Sequence, residues 1–318
     1  MELQFTFATI AIAIIKLFIL MLIGYGLYRL KLIDDRFTDM FSLLLMRVIF
    51  PALIISKIIT HFHFKDYTYW WMFPLAAIAL SLAGMFLGQV FYPFLKGFRS
   101  HREFLCSCGF QNCGYLPMNL ILFAFAGEMS DRLLIYMFLF IAGFNLLMWS
   151  LAPLFLSGKL KSDFSIKVLF NPPVIATVFS IIWVMFFGKG SMPEIVMGPV
   201  SQLGQAAFPL AMLLLGAYLC RYQAHATQDK LPLVICIGIK LLLLPALVLC
   251  LLLLIPIGYD YKFFLFLQAI MPTAVSLVVI GSYTGADNKF FSSSIFYTHI
   301  IAIFSIPIWL AVFNVVLK

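Results

Sequence analysis

The residues Gln111-Asn112-Cys113-Gly114-Tyr115-Leu116-Pro117-Met118-Asn119 place two asparagines, a glutamine, a glycine and a proline inside an apolar stretch long enough to cross a bilayer. Hydrocarbon cannot satisfy interrupted backbone, so such a segment must be paired with protein or line a water-filled cavity. The chemistry these groups offer is recognition. Amide side chains and the free N–H groups at a helix start can hold a carboxylate or another anion. Three bases, Lys16, Arg47 and Lys240, also fall deep in apolar runs, each at a cost of about 2.5–3.5 kcal/mol at a helix centre. The thirteen carboxylates all lie near run ends or in joints. A net-positive interior without carboxylates suits an organic anion and argues against a cation exchanger built on a buried Asp pair.

Elements that could position these groups follow from composition. Of 318 residues 64% are hydrophobic and 11% charged, which marks a polytopic membrane protein. About 20 apolar residues span the hydrocarbon, and ten such runs are legible: 5–28, 38–58, 68–95, 103–126, 133–156, 168–188, 195–220, 231–256, 262–284 and 290–317. The joints are short and polar, so one membrane domain fills the chain. Met1-Glu2-Leu3-Gln4 lacks the basic start of a cleavable signal.

Orientation rests on the joints. Arg29, Lys31, Arg36, Lys96, Arg99, Arg102, Lys159, Lys161, Lys167, Arg221, Lys230 and Lys289, twelve in all, fall on one side. Six, namely Lys57, Lys65, Arg132, Lys189, Lys262 and Lys318, fall on the other. The excess places the twelve in the cytoplasm and both termini outside it, in a cell (inner or plasma) membrane. The net charge of +8 reflects this anchoring and gives no argument for nucleic acid. The partners expected are lipid and a small anion.

A shift of 158 residues carries Phe50-Pro51 onto Phe208-Pro209, Pro74-Leu75 onto Pro232-Leu233 and Gly127 onto Gly285. Five spans per half would invert one half against the other, giving repeats over 1–158 and 159–318. The same shift carries 112–117 onto 270–275, Ile-Met-Pro-Thr-Ala-Val, a second interruption in span nine. The expectation is an all-α integral membrane fold in which broken helices four and nine cross at mid-membrane. Pro153, Pro245 and Pro307 read as kinks. The site set is Asn112, Gly114, Tyr115, Pro117, Asn119, Lys240, Gln268, Pro272, Thr273 and Ser276. Gln205, Asn145 and His299 are further polar side chains at depth; membrane amides and hydroxyls usually bond a neighbouring helix, and His299 could carry a proton. Arg47, four residues before Pro51, is read as a partner for carbonyls freed there. Six cysteines at 106, 108, 113, 220, 236 and 250 show no zinc spacing and read as packing thiols, so no metal is expected.

Asn112-Cys-Gly-Tyr-Leu, Met271-Pro272-Thr-Ala, Tyr283-Thr-Gly-Ala-Asp287 with Ser292 to Ser294, Arg47 to Pro51 and Gly24-Tyr25 resemble, in order and spacing, motifs of the auxin efflux carrier family and its bacterial relatives. The family pattern has Gly where this chain has Pro117 and Pro where it has Asn119, which displaces the fourth-helix break by about a turn. Ser157 to Lys167 stands in place of the long hydrophilic loop of plant carriers. The resemblance implies a scaffold of spans one, two, six and seven, where a homodimer would form. It also implies a moving transport domain of spans three to five and eight to ten, with elevator-like carriage of auxin, malate or another carboxylate.

The sequence therefore points to a secondary transporter or facilitator of a small organic anion, not an enzyme and without a cofactor. A sodium- or proton-coupled symporter of the bile-acid-carrier type is the alternative, because spare hydroxyls and freed carbonyls suit sodium. An anion sensor or binding subunit without flux is another. An intramembrane enzyme would need an Asp-rich metal motif or a His beside an acid, and the spans contain neither.

Overall fold

A computed structural model describes residues 7–158, 171–223 and 229–317. Lys159, Lys161, Lys167 and Lys318 of the charge count, Met1 to Gln4, and most of the joint between the two proposed halves lie outside the described residues. Among those described the chain is helical throughout, apart from joints and one isolated antiparallel bridge, Gln111 to Thr273.

Among the described residues seven helical runs are long and apolar enough to cross a membrane. The first is α1 (Phe7–Arg29). The second joins α2 (Asp35–Leu44) to α3 (Phe50–His61), and the third begins with α4 (Met72–Phe91). After the broken pair α5 (His101–Gly109) and α6 (Tyr115–Ala124) comes a run joining α7 (Gly127–Leu146) to α8 (Ala152–Ser157). The short α9 (Pro172–Phe187) precedes α10 (Glu194–Gln205) with α11 (Ala207–Gln223), then α12 (Lys230–Gly238) with α13 (Leu244–Leu254). A second broken pair, α14 (Tyr259–Ala269) and α15 (Ser276–Thr284), leads to α16 (Asn288–Val316). The broken pairs fall short of spanning length because each is cut in two, and α6 and α9 count as shorter apolar helices.

Helix starts follow side-chain chemistry. The Asp34 carboxylate accepts the Phe37 N–H (2.8 Å), Asn171 accepts that of Val174 (3.1 Å), and Asp287 accepts those of Lys289 and Phe290. Pro172 and Pro173 then occupy first-turn positions of α9, where a missing N–H costs nothing.

Prolines in the interior act differently. Pro51, Pro153 and Pro245 each follow a five-residue π turn, Leu45–Ile49, Leu147–Leu151 and Ile239–Leu243. A proline cannot donate and its ring collides with the carbonyl four residues back, so a wider turn just ahead of it absorbs the misfit. Pro307, by contrast, stays inside the continuous α16.

α1 and α11 pack backbone to backbone. A Cβ on Gly24 would lie 1.9 Å from the Leu213 carbonyl oxygen, and one on Gly216 the same distance from that of Met21. α3 packs on α9 and α10, while α4 packs on α5 and α7. α16 packs against α1, α5, α11, α12 and α15.

Candidate functional site

The two interruptions meet. Asn112 N–H donates to the Pro272 carbonyl (2.7 Å) and Ala274 N–H to that of Phe110 (3.0 Å), so each broken backbone satisfies the other. Gln111 pairs with Thr273, 162 residues apart rather than the 158 of the sequence shift. The first break covers 110–114 and the second 270–275. The first therefore sits ahead of the expected 112–117, and Pro117 falls in the opening turn of α6, where its lack of an N–H breaks nothing.

Thr273 pins the crossing. Its N–H donates to Thr298 Oγ1 (3.2 Å) and its hydroxyl to the Ser107 carbonyl (3.1 Å). Lys240, fully buried in the π turn before Pro245, points its ammonium at the Cys108 and Gly109 carbonyls, 3.3 Å from each. These are the last carbonyls of α5, the negative pole of that half-helix.

The opposite poles face open space. The starts of α6 at Tyr115 and of α15 at Ser276 border a cavity of about 70 Å3 at the crossing. Its wall includes Gln111, Asn112, Gly114 and Asn145 among apolar and aromatic groups such as Phe50, Phe138 and Phe144. Met46, Tyr115, Pro173, Val275 and Ser276 are shared with a wider vestibule of about 420 Å3, which reaches Arg47, Asn171 and Tyr218. Among the described residues no carboxylate lines either space. The Gln111 amide has no hydrogen-bond partner at either end among the described residues, although the residue is fully buried.

Of the ten residues expected from sequence, Asn112, Gly114, Tyr115 and Ser276 line the cavity. Pro272 and Thr273 form the crossing strand. Lys240 stands against the end of α5. Asn119 turns its amide to the Tyr115 carbonyl of its own helix (2.9 Å), while the fully buried Gln268 amide has no partner among the described residues. Gln111, Asn145 and Arg47 are cavity or vestibule residues outside that set. Arg47 is exposed and bonds no described residue, so the tie to carbonyls near Pro51 is not formed. The signal for Gln111 was its place in the interrupted motif. For Arg47 it was a charge one turn ahead of a membrane proline.

Other polar groups meet ordinary partners. Lys16 is exposed and lies over the Phe123 ring (5.8 Å). Exposed Gln205 contacts Ser201 within α10, at 3.5 Å. The amide of Asn145 reaches the Asn171 cap, also at 3.5 Å. No group of three or more His, Cys, Asp or Glu side chains that could hold a metal occurs among the described residues.

A family model described as "Membrane transport protein" matches residues 9–310. The chain belongs to the membrane transport protein family. This is the family to which the auxin efflux resemblance pointed, and its members are transporters rather than enzymes. A curated relative, an "Uncharacterized transporter" of Methanothermobacter thermautotrophicus, is 24% identical over 310 residues, covering 93% of this chain and 96% of its own. The crossing and its cavity thus belong to a multi-pass membrane transporter.

Proposed function

We propose that this transporter moves a small organic anion, and that the cavity at the crossing is where the anion is held. The observation that carries the reading is a cavity that no carboxylate of the described residues lines, bordered by two helix N-termini, the Asn112 and Asn145 amides and the Gln111 amide, which has no partner among the described residues, with Arg47 at its approach. Helix starts and amide donors favour an anion, and a vestibular cation raises its local concentration. Aromatic and aliphatic walls suit a substrate with an apolar body. Lys240 contributes positive potential through the end of α5.

In this reading α5 with α6, α14 with α15, and α9 complete ten crossings in two inverted five-helix halves. α1 to α3 and α9 to α11 form the scaffold, through which a homodimer would assemble, and the remaining helices form the moving body. The packing of α1 on α11 and of α3 on α9 and α10 supports that grouping. Both termini lie outside the cytoplasm, in a cell (inner or plasma) membrane. The decisive experiment is uptake of labelled acetate, malate, benzoate and indole-3-acetate into proteoliposomes by wild type and Asn112→Ala. Flux of at least one of these, reduced at least tenfold in the variant, is expected. Saturable binding without flux would make the protein a sensor, and undiminished flux in Asn112→Ala would remove the site.

A further inference from the structure

Asn112 stands between the cavity and a buried histidine. Its amide nitrogen lies 3.0 Å from His299 Nε2, and the other ring nitrogen, Nδ1, lies 2.8 Å from the Ile295 carbonyl oxygen. A carbonyl only accepts, so Nδ1 carries a proton. In the neutral ring Nε2 is then an acceptor, and the Asn112 nitrogen must donate to it. This commits one of the two amide hydrogens to the histidine.

We propose that His299 is the proton-binding site of this transporter, and that its protonation turns the Asn112 amide over to present both hydrogens to a carboxylate in the cavity. Once Nε2 gains a proton from water it becomes a donor and repels the amide nitrogen. The amide rotates so that Oδ1 accepts from Nε2–H, which releases the NH2 group towards the cavity. The imidazolium and the anion then neutralise each other across one side chain. Each binding event favours the other, as linkage requires. The proposal rests on the anion reading above and supplies its coupling ion.

No other ionisable group described on the packed elements bonds the ring. Lys240, on the π turn against α16, is held by the α5 carbonyls. On α5, Glu103 accepts the Asp287 N–H (3.0 Å) and His101 contacts Gln89. On α1, Lys16 is exposed over Phe123, Tyr25 donates to Gln223 and Tyr28 to Asp35, while Arg29 ends the helix. On α11, Arg221 pairs with Asp35 and Asp39, and Tyr218, Cys220 and Tyr222 share its last turns. α12 brings exposed Lys230 and buried Cys236, and α5 with its linker brings Cys106, Cys108 and Cys113. None of these is hydrogen-bonded or ion-paired to the His299 ring, whose two partners are Asn112 and Ile295. Among the described residues a fully buried imidazolium at 299 has no counter-charge, so the bound anion is the group that stabilises it.

The test is calorimetry of purified full-length protein with the four carboxylates named above, run in buffers of different ionisation enthalpy to count protons. Wild type is expected to take up close to one proton per anion bound, with affinity rising up to about tenfold per unit fall in pH while free His299 is neutral. His299→Gln keeps an acceptor for Asn112 but cannot take a proton, so it should bind with no uptake and a flat pH profile. Binding by wild type without proton uptake, or uptake that survives in His299→Gln, overturns the proposal and leaves the anion site standing. Failure of wild type to bind all four probes removes the anion site and this proposal together.

Discussion

The Lys240 ammonium lies 3.3 Å from the Gly109 carbonyl oxygen and equally far from that of Cys108, so a side chain from one half of the sequence closes a half-helix of the other. These two groups solve each other's problem. A buried cation without a carboxylate needs acceptors, and α5 ends in mid-protein with carbonyls that the break at Phe110 leaves over.

Lys240→Met keeps the stem and removes the charge. The carbonyls then lose a charge-assisted donor and the favourable charge at the negative pole, worth roughly 1–3 kcal/mol together. The expected result is a lower Tm in detergent by intrinsic fluorescence, with carboxylate affinity weakened less than by Asn112→Ala. An unchanged Tm with abolished binding would instead make the ammonium a direct substrate ligand.

Arg47 is exposed and lines the vestibule without a bond to any described residue. An exposed charge of this kind acts through field and encounter more than through a fixed contact. Arg47→Gln should therefore raise the KM for carboxylate uptake by up to about fivefold, the scale of an exposed ion pair, with kcat little changed. High salt should shrink the difference, since about 1 M salt screens charges beyond some 3 Å. A loss that persists at high salt would mean that Arg47 grips the anion directly.

Much of this was legible in the residues because membrane burial makes polar groups costly and therefore visible. Asn112 and Tyr115 were readable as cavity residues from the interruption alone, and Lys240 was readable as a charge in need of acceptors. That the acceptors belong to Cys108 and Gly109 was not readable, since backbone carbonyls carry no sequence signature. Pro117 misplaced the first break because a proline is disruptive only in a helix interior, and sequence does not show which turn it occupies. Gln268 and Ser276 were chosen as the polar side chains four residues either side of Pro272, and of the two only Ser276 lines the cavity; Asn119, an amide of the interrupted motif, turns to its own helix. In segments apolar on every side, periodicity cannot tell which residues face a cavity and which face a neighbouring helix.

Ser276 and Gln268 flank Pro272 symmetrically in sequence but not in space, and cysteine accessibility separates them. Ser276 is partly exposed at the start of α15 and borders both cavity and vestibule, whereas Gln268 is fully buried on α14. Thiolate reacts only where reagent reaches it. The background needs Cys113→Ser, which clears the cavity wall, and Cys250→Ser, which removes an exposed thiol; Cys106, Cys108, Cys220 and Cys236 are buried. In it, Ser276→Cys should react with an anionic methanethiosulfonate at least tenfold faster than Gln268→Cys. The adduct places a fixed negative charge beside the α15 N-terminus, where the anion's carboxylate is proposed to lie, so it should also block uptake. A saturating transported carboxylate should slow labelling of Ser276→Cys and leave Gln268→Cys unaffected. Equal rates at the two positions, or labelling that no carboxylate slows, would separate the cavity from the transport path.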